Sequence, residues 1–237
     1  MTVDPELVRV AVYRALASTG AVPDAPGLAV LLGASEADVP QALEVLHDQR
    51  HLVLRDGRIV LAHPFATIDL GWSVKGRHTL WWGGCVWDSF AIPHLVPDEP
   101  SVLVATTCPG CERAHAWTVT ADQPPEGDQV AHFPVPMARV WDDVVATCGN
   151  QRVFCGEACL ERWLASTGRE RGYSADLATA WRLASRWYAG RLEPGYRRRE
   201  PAEAAAYFAS VGLRGPFWGL PPTPDEPSPG TSGGSTS

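Results

Sequence analysis

The chain has 237 residues, 45% hydrophobic and 20% charged, with 20 Lys and Arg against 27 Asp and Glu for a net charge of −7. That balance belongs to a globular chain of one domain or two small ones, not to a disordered one. Apolar runs such as 27–34 are about eight residues long where a membrane helix needs roughly 20, so neither a span nor a membrane partner is expected. The N-terminus carries an acid and no basic stretch ahead of an apolar run, so it does not read as an export signal and a cytoplasmic location is expected. Net acidity argues against nucleic acid as a partner.

Residues 1–62 read as a winged-helix-like module. A helical pattern over 5–18 stops at Gly20, and 27–32 forms a short second helix. Ser35 caps a third helix with Val39, Ala42, Leu43 and Leu46 on one face. The segments 52–54 and 59–61 flank Asp56-Gly57, a hairpin signal. The third helix would be the DNA reader, yet it carries Glu36, Asp38, Glu44 and Asp48 against Arg50 alone. Acids facing phosphates repel, so the module reads as a scaffold.

Residues 63–220 read as one catalytic domain. Strands are expected at 78–82, 101–107, 115–120 and 129–135. Segment 85–92 is helical and broken by Pro93. Helices follow at 157–166, at 174–189 behind a Ser174 cap, and from Pro201 to Gly212. Residues 221–237 are Pro, Gly, Ser and Thr with two acids, the composition of a disordered tail. The fold class is α+β, with helices at both ends of a β-rich catalytic core. Arg197, Arg198 and Arg199 form a small basic cluster that reads as a solvated face.

All six cysteines lie between 85 and 159. Without an export signal they read as thiols for metal or chemistry, not as disulfides. Cys108-Pro-Gly-Cys111 and Cys155-Gly-Glu-Ala-Cys159 form a C-x2-C and C-x3-C set, the pattern of a four-thiolate Zn2+ site. Four thiolates leave no open position, so such zinc would be structural. Two cysteines remain. Cys85 and Asp88 stand at i, i+3, which on a helix puts thiol and carboxyl on one face. Cys148 follows Trp141-Asp142-Asp143 and sits at a turn before Gly149. A carboxylate neighbour raises a thiol pKa, so the arrangement suits an acid that must hold a proton or a soft metal that replaces thiol protons.

These stretches resemble the organomercurial (alkylmercury) lyase family. Cys85-Val-Trp-Asp88 with Pro93 five residues on looks like the family's Cys-x-x-Asp motif. Strand 102–107 runs into Cys108, where the family commonly has an ancillary cysteine. Cys148, the pair Val153-Phe154 and Trp163 look like the second catalytic cysteine with its aromatic sequel. The N-terminal module is also a family feature, and the resemblance covers roughly 5–190. Cys111, Cys155 and Cys159 depart from it, and Phe154-Cys155 competes with Cys148 for the second catalytic position. Cys148 is preferred because the match from it to Trp163 runs without gaps.

The resemblance implies protonolysis of a carbon–mercury bond with no organic cofactor. Cys85 and Cys148 would bind mercury, Asp88 would deliver a proton to carbon, and Hg(II) would remain as bound product. Free thiols or a mercuric reductase would then accept the Hg(II). Trp81, Trp82, Trp87 and Phe90 would form an apolar wall that favours a protonated Asp88. Two other readings share these residues: an enzyme of the same fold acting on another organometal or organosulfur substrate, and a zinc-stabilised winged-helix binding or sensor protein.

Overall fold

A computed structural model describes residues 2–222. Helix α1 (Pro5–Thr19) starts where the Asp4 side chain accepts the Glu6 N–H and Pro5 fills the first turn. It ends at Gly20 with φ +72°, and a side chain there would strike the Leu80 carbonyl oxygen at 2.1 Å. Asp24 caps α2 (Ala25–Leu32) in the same way. Helix α3 (Asp38–Asp48) buries Val39, Ala42, Leu43 and Leu46, the stripe read from the sequence. It begins later than expected. Ser35 instead closes the preceding turn: its hydroxyl accepts the Ala37 N–H and its carbonyl the Asp38 N–H.

Strands β1 (Val53–Arg55) and β2 (Arg58–Ala62) form the expected hairpin, with Asp56 and Gly57 both at positive φ. The hairpin does not stand apart. β2 pairs with β3 (Phe65–Ala66), which pairs with β5 (Leu80–Gly83), and β4 (Ser73–Lys75) joins β5 to β6 (Ser101–Thr107) and β7 (Ala114–Thr120). The result is one seven-stranded antiparallel sheet in the order β1-β2-β3-β5-β4-β6-β7. Strands β3 and β4 are two and three residues long, too short to leave an alternation in the sequence.

Helix α4 (Val86–Leu95) packs on this sheet and buries every residue except His94. Pro93 does not break it, contrary to the sequence expectation. A mid-helix proline costs about 3 kcal/mol, but burying Phe90, Ile92 and Leu95 returns roughly 1.5–3 kcal/mol each. A second sheet is formed by β8 (Val130–Phe133), β9 (Val153–Phe154) and β10 (Tyr173–Asp176), in the order β10-β8-β9. Between β8 and β9 lies α5 (Val144–Asn150), and α6 (Glu157–Thr167) follows β9.

Helix α7 (Leu177–Trp187) lies against α4. Its cap is Asp176, which accepts the Thr179 N–H at 2.7 Å, and not Ser174, which sits in β10. Helix α8 (Pro201–Ser210) packs Phe208 on Trp187 and Trp218. The solvated face assigned to three arginines holds for Arg197 alone. Arg198 stacks on Trp141, and Arg199 stacks on Trp187 and Tyr207 while donating to main-chain carbonyls. Of the expected tail 221–237, residues 223–237 lie outside the described residues. No described helix is long and apolar enough to cross a membrane.

Candidate active site

Cys85 is the cap residue of α4, in extended conformation, with Asp88 in the first turn. The strand-to-helix turn brings the two together although Cys85 is not itself helical: Cys85 Sγ lies 3.2 Å from Asp88 Oδ2. Cys148 comes from α5, whose side-chain cap is Asp143. It is helical and not in a turn, and its Sγ lies 4.0 Å from the same Oδ2. Cys85, Asp88 and Cys148 are 2%, 1% and 3% exposed, so the three groups meet in a water-poor interior.

Two further groups close on Asp88, and neither was picked out in the sequence. His63 Nδ1 lies 3.1 Å from Oδ2. The Tyr188 hydroxyl donates to Oδ1 in a very short contact. The carboxyl is therefore divided: Oδ1 faces a phenol, and Oδ2 faces an imidazole and two thiols. Behind them the buried Arg191 donates to the His63 carbonyl at 2.7 Å and stacks 4.7 Å from the Tyr188 ring centre. His63 sits in the turn between β2 and β3, and Tyr188 one residue past α7. Each is a single residue with no motif around it, and no spacing rule singles it out.

Burial pushes the Cys85 thiol well above the ordinary range, helped by its contact with Cys148 and by the Asp88 charge. Cys148 is also raised. The Cys85 contact draws it down, but burial and the Asp88 charge together outweigh that. Tyr188 is raised by burial and by Asp88, so it stays a hydrogen-bond donor. The resting site thus holds two protonated thiols on one carboxyl oxygen.

The aromatic wall differs from expectation. Trp81 and Trp82 are neighbours on β5 and point to opposite faces. Trp82 is 39% exposed and takes no part. Trp81 is buried but donates to the Leu16 carbonyl and so fastens α1 to the sheet. Phe90 packs against Trp117. Trp87 packs at a tilt against Trp187 and reaches the site through the Tyr188 ring, while Trp141 sets its edge against His63.

The other four cysteines gather elsewhere. The Sγ atoms of Cys108, Cys111, Cys155 and Cys159 all lie within 4.8 Å of one another. Cys111 and Cys155 Sγ are 3.4 Å apart, and the Cys155 N–H points at Cys108 Sγ. Sulfurs around a tetrahedral zinc at about 2.3 Å stand about 3.8 Å apart, so the donor set fits such an ion. The Cys111 thiol is drawn down to about 7 by the Arg113 backbone N–H and then by Cys155 and Cys108. Cys155 is pushed up to about 12 by burial and its sulfur neighbours. Cys155 therefore sits with this group, and Cys148 is the cysteine that faces Asp88.

The profile of the alkylmercury lyase family matches residues 65–189, just over half of the chain. Among solved structures, a chain described as the mercury-bound form of MerB2 is similar over 77% of this chain and 89% of its own, at 14% identity and a TM-score of 0.58, a likeness of fold. No curated protein matches the chain. The matched segment contains Cys85, Asp88 and Cys148 with both turns of the four-cysteine group, and the chain belongs to the alkylmercury lyase family.

Proposed function

We propose that this enzyme cleaves carbon–mercury bonds by protonolysis, with Cys85 and Cys148 as the mercury-binding thiols and Asp88 as the acid. One observation carries the reading: two buried cysteine sulfurs converge on a single Asp88 carboxyl oxygen. Mercury is soft and prefers thiolate to oxygen. One thiol captures the alkylmercury cation and gives up its proton, and the second thiol then adds. Two sulfurs push electron density onto the metal-bound carbon. Asp88 delivers a thiol proton to that carbon, the C–Hg bond breaks, the hydrocarbon leaves, and Hg(II) stays on the two sulfurs. Free thiols or a mercuric reductase would remove it by exchange. All six cysteines are free, which suits a reducing cytoplasm.

We assign Cys108, Cys111, Cys155 and Cys159 to a structural Zn2+ outside the reaction, and residues 1–62 to a scaffold. The test is headspace hydrocarbon release from methylmercury by purified protein. Cys85→Ala, Cys148→Ala and Asp88→Ala should each abolish release, while Cys155→Ala retains it. Full turnover by Cys148→Ala would sink the assignment.

A further inference from the structure

Proton bookkeeping in this reaction leaves a remainder. For a substrate RHgX, two thiols enter and RH, Hg(SCys)2 and HX leave. Two S–H bonds break, one proton ends on carbon, and the second must be held until X− or solvent takes it. A carboxyl group holds one proton at a time, so Asp88 can take the second only after the first has moved on.

We propose that His63 is the acceptor of the second proton. This rests on the lyase reading above. His63 Nδ1 stands 3.1 Å from Asp88 Oδ2, the same oxygen that faces both thiols. Nδ1, that oxygen and Cys148 Sγ lie within 4.8 Å of one another. The groups facing His63 are Asp88 from α4, Cys148 from α5 and the Trp141 edge, while the Arg191 guanidinium is spent on its carbonyl. Oδ1 is occupied by the Tyr188 hydroxyl, so protons arriving from the thiols have Oδ2 as their port, and Nδ1 is the adjoining base in the tautomer that carries its hydrogen on Nε2. The His63 side chain keeps 9% of its surface exposed against 1% for Asp88, which makes it the route outward.

The sequence of transfers balances. The first thiol forms its S–Hg bond, and its proton passes through Oδ2 to Nδ1. The freed carboxylate then accepts the second thiol's proton as the second S–Hg bond forms. That proton moves to carbon as C–Hg breaks, and His63 releases its own to X− or water. No electron is gained or lost by any group.

The experiment is hydrocarbon release by wild type and His63→Asn from pH 6 to 9. Asn places an amide near Oδ2 but cannot take up a proton. We expect kcat to fall by about tenfold or more at pH 7, KM to stay within about twofold, and the deficit to shrink as pH rises and hydroxide takes the surplus proton. Equal kcat, or a deficit that is constant with pH, would overturn the proposal, since a positioning role alone gives a constant one. His63→Gln repeats the comparison if His63→Asn loses its native circular dichroism. A wild type that releases no hydrocarbon overturns the lyase reading itself, so the two failures are distinct.

Discussion

Gly84 has no room for a side chain. A methyl group there would fall 2.2 Å from Asp88 Oδ2 and 3.5 Å from Leu61. The clash is with the oxygen proposed to carry the proton and not with the fold around it. Gly84→Ala should therefore lower kcat by about 10²-fold or more, while leaving the circular dichroism spectrum native. Wild-type turnover would mean that Oδ2 is not the transferring atom. Cys85, Asp88 and Cys148 were singled out because their order and spacing resemble the family's, and the fold does bring the three together. His63 and Tyr188 were not, because contacts across 25 and 100 residues leave no local pattern. Trp82 was misread for a simpler reason: in a strand, adjacent tryptophans cannot face the same way.

The four-cysteine group joins elements rather than residues. The 108–111 turn links β6 to β7, and 155–159 leads β9 into α6, so a shared ion would clamp the edge of one sheet to the other. Gly110 is packed so tightly that a Cβ would meet the Cys159 carbonyl oxygen at 2.2 Å. Gly110→Ala should spread the sulfurs and lower the metal content from one zinc per chain, measured by elemental analysis, along with the melting temperature. Zinc content unchanged in that variant, or no zinc in the wild type, would remove the clamp. Elements themselves were legible where the pattern is long, as in α1, α3, β6 and β7. They were hidden where tertiary contacts decide. Helix α5 is seven residues of mostly β-branched and small side chains, and it persists because Val144, Val145, Thr147 and Cys148 are buried.

At the scale of the whole molecule, stability should be bounded by pH on both sides. His51, His94 and His132 are each pushed down to about 4, by burial foremost, with nearby arginines adding to it at His51 and His132. Depressed folded-state values mean that the unfolded chain binds these protons first. Stability is then full above about 6.5 and is lost as pH falls from there toward 4. Cys85 and Cys148 are raised, so stability also falls as pH climbs past the ordinary thiol value of about 8.5. The urea midpoint should peak between these limits. A midpoint flat from pH 7 to 4.5 would contradict the histidine assignment, since carboxylates alone titrate lower.

The partners of Asp88 are strung far apart along the chain, and the last of them, Tyr188, follows it by one hundred residues. During synthesis the two thiols and the acid emerge long before the phenol that fixes the carboxyl in place. A nascent chain therefore meets mercury with ordinary, unfolded cysteines, able to bind the metal but not to discharge its carbon. On the proposed mechanism, competence waits until Tyr188 has been made. Any truncation upstream of Tyr188 should yield a mercury trap in place of a catalyst.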